Sequence, residues 1–196
     1  MYKIAVLSST NGTNFQSILD AKARGELTNV EICCLITNKA DCGAAQKARD
    51  NGIKVYFFDA RAMSREKFDE AVMDTLDFFE VDLVVLGGFM RILGSKIIQK
   101  YHNRIINVHP SLLPKFGGGI NMDVHRSVIE AGEKETGMTI HIVSEEVDGG
   151  PILLQKSVTV DPSETPESLK DKVQGLEKEW YPKVIQDFAD GKIKIN

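Results

Sequence analysis

Five short, nearly unbroken apolar runs constrain the fold more than any other feature: residues 3–7, 32–37, 55–58, 83–86 and 105–108. Runs this brief and this rich in Val, Ile and Leu read as strands covered on both faces. Between them the period changes. Phe15, Ile18, Leu19 and Lys22 recur at spacings of three and four, as do Phe68, Val72, Leu76 and Phe79. That is the period of a helix with one buried face. Thr13 or Asn14 stands where the first of these helices needs a cap, and Ser64 where the other does. Strand–helix alternation predicts an α/β fold, a doubly wound, mostly parallel sheet with helices in layers on both sides.

Beyond residue 132 the rhythm differs. Residues 138–143 and 152–160 read as two strands, and the segment between them is too short for a helical crossover. The spacing therefore predicts an antiparallel pair at the C-terminal side. Pro166 then opens a helix over 166–190 with apolar Leu169, Val173, Leu176 and Trp180, and a bend is expected at Pro182. With no repeat, linker or low-complexity run, residues 1–196 are expected to form a single domain.

Composition excludes several classes. The 24 Lys and Arg against 28 Asp and Glu leave a formal charge of −4 and no basic stripe, which argues against nucleic acid or an anionic membrane surface as partner. The longest apolar stretch, 83–90, holds two glycines and falls far short of a membrane span. Cys33, Cys34 and Cys42 contain no C-x-x-C pair, so neither a disulfide framework nor a zinc site is expected. The N-terminal residues enter an apolar segment with no basic leader. The expectation is a cytoplasmic protein, monomer or homodimer, acting on small molecules without a metal.

Two stretches carry polar groups at the edge where such sheets bind ligands. The first strand runs into Ser8-Ser9-Thr10-Asn11-Gly12-Thr13-Asn14 and then a helix. Free amides at a helix start suit a phosphate. The turn has neither G-x-G-x-x-G nor G-K-[ST], which disfavours a dinucleotide or a P-loop. Taken alone it reads equally as a loop before an ordinary helix. The fifth strand ends in Asn107-Val108-His109-Pro110, so Asn107 and His109 share a face and Pro110 ends the strand. An amide donor beside an imidazole suits a carbonyl oxygen that gains charge on attack. Such a pair can also be satisfied by loop backbone.

Asn107-Val-His109-Pro-Ser-Leu-Leu-Pro114, Gly88-Phe-Met-Arg-Ile-Leu93 and Asp148-Gly-Gly-Pro151 occur here in one order along one chain. Together they resemble the folate-dependent formyltransferase family over nearly the whole length. The resemblance implies direct transfer of formyl from 10-formyltetrahydrofolate to the amine of phosphoribosylglycinamide, through a tetrahedral intermediate, in purine synthesis. It further implies Asn107, His109 and Asp148 as catalytic residues, with Asp148 keeping the imidazole charged. The folate is expected along Met90, Arg91, Ile92 and Leu93, at Asn107, at Ser144, Glu145, Glu146, Val147 and Asp148, and at Arg65. The ribonucleotide is expected at Gly12, Thr13, Asn14, Gln174 and Glu177.

On residues alone, 89–93 reads as packing, Asp148-Gly-Gly-Pro as a turn and Glu177 as a solvated carboxylate. His125 and His102 carry no assignment, and His141 reads as a structural strand residue. Two departures from the family pattern stand out. Thr10 replaces a glycine and would be strained if its φ were positive, and residues 115–124 form an unusual glycine-rich stretch. The alternatives are an N-formyltransferase for another amine, such as an amino sugar nucleotide, or a non-catalytic nucleotide-binding module.

Overall fold

The computed structural model describes residues 1–119 and 122–193. Part of the 115–124 departure, residues 120 and 121, lies outside the described residues. In chain order the elements are β1 (Tyr2–Leu7), α1 (Thr13–Ala23), β2 (Val30–Thr37), α2 (Gly43–Asp50), β3 (Lys54–Phe57), α3 (Arg65–Phe79), β4 (Leu83–Leu86), α4 (Ser95–Lys100), β5 (Ile105–His109), α5 (Met122–Glu130), β6 (Glu135–Ile142), β7 (Ile152–Thr159) and α6 (Pro166–Ala189).

The strands form one sheet in the order β3-β2-β1-β4-β5-β6-β7. The first five are mutually parallel, whereas β6 is antiparallel to both β5 and β7. This is the expected doubly wound architecture. Each parallel strand feeds two cores because successive side chains face opposite ways. Val6, Val85 and Ile106 pack with Phe15, Ile18, Val173 and Tyr181 on one side. Leu7, Leu86 and Ile105 pack with Phe68, Val72, Leu76 and Ile97 on the other. Double coverage explains why those strands lack polar alternation.

Helix starts follow local chemistry, with one correction. Ser64 caps α3 by accepting from the Lys67 amide at 3.3 Å, as expected. Neither Thr13 nor Asn14 caps α1. Its N-cap is Gly12 at φ 69°, with no side-chain cap. A Cβ there would come within 2.8 Å of Ala44 Cα, so close approach of α2 and the left-handed backbone both demand glycine. Thr10 is absent from the positive-φ residues, which removes the strain expected of it. Thr165 and Ser168 form a capping box ahead of Pro166, and α6 continues through a buried Pro182.

One side chain ties the closing helix to the strand ends. Tyr181, fully buried on α6, directs its hydroxyl at the carbonyl oxygens of Leu86 (2.8 Å) and Ile106 (3.1 Å). These belong to the last residue of β4 and the residue before Asn107. The parallel edge that carries the site is thereby fixed from behind.

Candidate active site

Pro110 ends β5 just after His109, and the last residues of the strand point into a cavity of about 230 Å³. His109 is 4% exposed. Its Nδ1 lies 3.2 Å from Asp148 Oδ2, and its Nε2 donates to the Phe116 carbonyl at 2.9 Å. Asp148 sits at φ 55° and Phe116 at φ 59°, both in the left-handed region. The turns that bring them to the ring are therefore bent against the usual preference of non-glycine residues. The Gly118 amide also donates to Asp148 Oδ2, at 2.8 Å. This bond joins the glycine-rich stretch to the carboxylate.

Register supplies a fourth member. Asn107 lies opposite His141 across the β5–β6 pair, and His109 lies opposite Thr139. The His141 Nδ1 donates to the Ile142 carbonyl at 3.0 Å, and its Nε2 lies 3.2 Å from the Asn107 amide nitrogen. The Asn107 side chain lines the cavity beside it. His141 Nε2 also lies 3.5 Å from Asp148 Oδ1. His141 is satisfied within its strand, as expected, and it also stands within the polar cluster.

Burial pulls the His109 pKa below the ordinary histidine value, and this outweighs the upward pull of Asp148 and of the Phe116 carbonyl. Asp148 acts in the anticipated direction, against burial. Burial pushes the Asp148 carboxyl up, yet His141, the Gly118 amide and His109 together hold it below the usual carboxylate range.

The cavity wall is formed in part by Met90, Arg91, Ile92, Leu93, Val143, Ser144 and Val147. Arg91 stacks over Phe68 with its guanidinium carbon 4.4 Å from the ring centre. Arg65 lies behind this wall rather than in it, donating to the Ile92 and Leu93 carbonyls at 3.2 and 2.9 Å. Glu145 is turned away too, accepting from Ser95 and Gln99 on α4. Glu146 does not line the cavity, and its backbone carbonyl accepts from Ser144 and from the Gly149 amide. Three of the residues expected at a folate thus shape the wall or its loop from outside.

The second group gathers around the first turn. Thr13, Asn14, Gln174 and Glu177 line a chamber of about 90 Å³ beside Gly87, Gly88 and Pro110. Gly12 supports the turn from beneath without lining it. Glu177 is not a solvated carboxylate: it is 5% exposed, and burial lifts its pKa to about 7 against the pull of Asn14, Lys178 and Lys170. Its flanking charges hide this in the sequence, yet Val173, Glu177 and Tyr181 follow the helical spacing of buried positions. His125 borders the same chamber at 2% exposure.

An acid-capable ring, an amide donor and a carboxylate thus converge on one wall, next to a narrow polar chamber. Such a set can bind the oxygen of a carbonyl as charge grows on it and manage one proton. Among the described residues, no group of three or more His, Cys, Asp or Glu is arranged to hold a metal ion. No described helix is long and apolar enough to cross a membrane.

A family model described as formyl transferase matches residues 2–185. The chain is 40% identical over 196 residues to a phosphoribosylglycinamide formyltransferase of Haemophilus influenzae, spanning 100% of this chain and 91% of that one. It is 39% identical over 194 residues to the protein of the same name from Escherichia coli, spanning 98% and 90%. Among solved structures, glycinamide ribonucleotide transformylase 1 from Symbiobacterium toebii superposes with a TM-score of 0.94 at 38% identity, covering 100% of this chain and 91% of that one.

Proposed function

The chain belongs to the formyl transferase family, and on that premise we propose that it moves the formyl group of 10-formyltetrahydrofolate to the amine of phosphoribosylglycinamide, a step of purine synthesis. The observation that carries this reading is the convergence of Asn107, His109 and Asp148 on one cavity, with Asp148 Oδ2 3.2 Å from His109 Nδ1.

The formylated folate, when bound, supplies an electrophilic carbonyl carbon. The slot between residues 90–93 and 143–148 suits it: a flat ring needs apolar walls and a few polar groups at the end. Asn107 donates an amide hydrogen to the formyl oxygen as negative charge develops there. Losing one such donor typically costs roughly 10²–10³ in rate. His109 is the proton carrier beside it. Its Nε2 is engaged with Phe116 in the free protein, so that carbonyl yields the nitrogen when the oxygen arrives. Asp148 holds the ring through Nδ1 and stabilises the proton it carries.

The acceptor amine enters from the Thr13–Asn14 side, where the α1 amides and Gln174 face the ligand. Once neutral, the amine is itself the nucleophile, and juxtaposition supplies much of the rate. Cavity and chamber share Gly88, Val108 and Pro110, so the two reactants meet beside β5.

Formyl transfer measured with phosphoribosylglycinamide tests the assignment. Acceptor-dependent turnover supports it. Rapid loss of formyl without any amine would indicate a hydrolase, and turnover only with an amino sugar nucleotide would replace the acceptor.

A further inference from the structure

The chamber beside Glu177 is continuous with a larger cavity of about 920 Å³ that opens over the ends of β2 and β3. Both are lined by Thr10, Thr13, Lys170 and Gln174, so these four residues form the seam of a single cleft. Lys170 is the only described lysine or arginine shared by both. It is half-buried on α6, and among the described residues it makes no ion pair. Its charge reaches inward, pulling down the pKa of both His125 and Glu177.

Other cations nearby are engaged or remote. Lys47 donates to the Asn11 and Gly12 carbonyls at 3.0 and 3.4 Å, holding the turn rather than a ligand. Lys39 is exposed on the outer cavity only. On the inner side, two buried atoms have no hydrogen-bond partner: Asn14 Oδ1 and His125 Nδ1. Buried polar atoms are nearly always satisfied, so an orphaned pair on one wall points to a ligand that completes them. Asn14 already bonds Glu177 through its side chain, which orients the amide oxygen for a hydroxyl donor.

We infer that Lys170 and His125 read the acceptor: Lys170 grips its phosphate at the seam, and His125 Nδ1 bonds a sugar hydroxyl in the inner chamber. This rests on the reading above that the acceptor is a phosphorylated ribosyl amine. A cation on α6 then adds to the α1 amides the charge neutralisation that a phosphate needs. Charge-assisted bonds to phosphate are among the stronger polar contacts.

The test compares phosphoribosylglycinamide with its dephosphorylated riboside in wild type, Lys170→Gln, Lys170→Arg and His125→Gln. Lys170→Gln is expected to cut the preference for the phosphorylated acceptor by roughly 10- to 100-fold. The loss falls on KM, with kcat within a few-fold, and Lys170→Arg restores most of it. His125→Gln lowers kcat/KM for both acceptors alike and leaves the preference intact. Because a buried histidine can fail to tolerate replacement, wild-type His125 is also followed by NMR. Ribose 5-phosphate should shift its ring signals, and inorganic phosphate alone should not. Unchanged phosphate preference in Lys170→Gln, or a silent His125 ring, overturns the corresponding half. Should the wild type formylate neither acceptor, the assigned reaction falls. Ribose 5-phosphate binding then judges Lys170 separately: loss in Lys170→Gln upholds the site, and retention overturns it.

Discussion

Phe116 places its carbonyl oxygen 2.9 Å from His109 Nε2, while Asp148 takes Nδ1 of the same ring at 3.2 Å. Both nitrogens of the imidazole therefore face oxygen acceptors in the free protein. One belongs to a carboxylate and the other to a backbone group in the glycine-rich stretch. In the proposed reaction the carboxylate stays with the ring, and the backbone group occupies the position offered to the formyl oxygen.

Removing the carboxylate removes the largest upward influence on His109. In Asp148→Asn, the His109 pKa, already below the ordinary value through burial, is expected to fall further. An NMR titration of the ring reads it directly. Turnover should drop by about 10²–10⁴, the usual range for a lost proton carrier. A ring that titrates higher in the variant would contradict the arrangement.

Glu177 gives the protein a pH signature of its own. Its pKa rises from 4.5 to about 7 on folding, so the unfolded chain releases this proton earlier than the native one. The contribution of a neutral Glu177 is complete below pH 4.5 and is lost as pH rises through about 7. Glu177→Gln should therefore stabilise the free protein at pH 8, on the order of 2–3 kcal/mol, and change little at pH 4.5. Denaturant unfolding at the two pH values checks this, and equal shifts at both would count against it.

His125 has the opposite sign. Burial, Lys170 and His109 lower its pKa from 6.5 to about 4, so the unfolded chain takes up a proton that the native state refuses. Stability attributable to this ring is present above pH 6.5 and declines as pH falls toward about 4. His125→Gln should flatten the acid limb of the stability curve. An unaltered slope between those pH values would show that the ring titrates normally.

Tyr181→Phe leaves the Leu86 and Ile106 carbonyls without the hydroxyl that now reaches both. The expected cost is about 1–3 kcal/mol, seen as a lower denaturation midpoint with an unchanged slope. Because Ile106 precedes Asn107, kcat should fall as well. A variant as stable and as active as wild type would place no weight on this bond.

The parts of the molecule that were legible in the sequence are those written in local pattern. Double-sided burial made the parallel strands continuous apolar runs. A proline after Asn107-Val-His109 marked the strand end, and the short link after residue 143 marked the antiparallel pair. What escaped depends on distant pairing. His141 joins Asn107 only because β6 runs antiparallel to β5 in one register, although Thr139 and His141 show the same alternation as Asn107 and His109. The α1 cap turned on how closely α2 approaches Gly12, which no local propensity encodes. The partners of Arg65 and Glu145, backbone carbonyls and α4 side chains, likewise lie far along the chain.

The switch from parallel to antiparallel strands at β5–β6 also orders events in the life of the chain. During synthesis both donor residues leave the ribosome well before the acidic partner that completes them. A nascent protein holding β1 to β5 thus carries two of the three groups proposed for the reaction and lacks the carboxylate. Completion waits on the strand that reverses direction, on the turn beyond it that carries Asp148, and on α6, which closes the inner chamber.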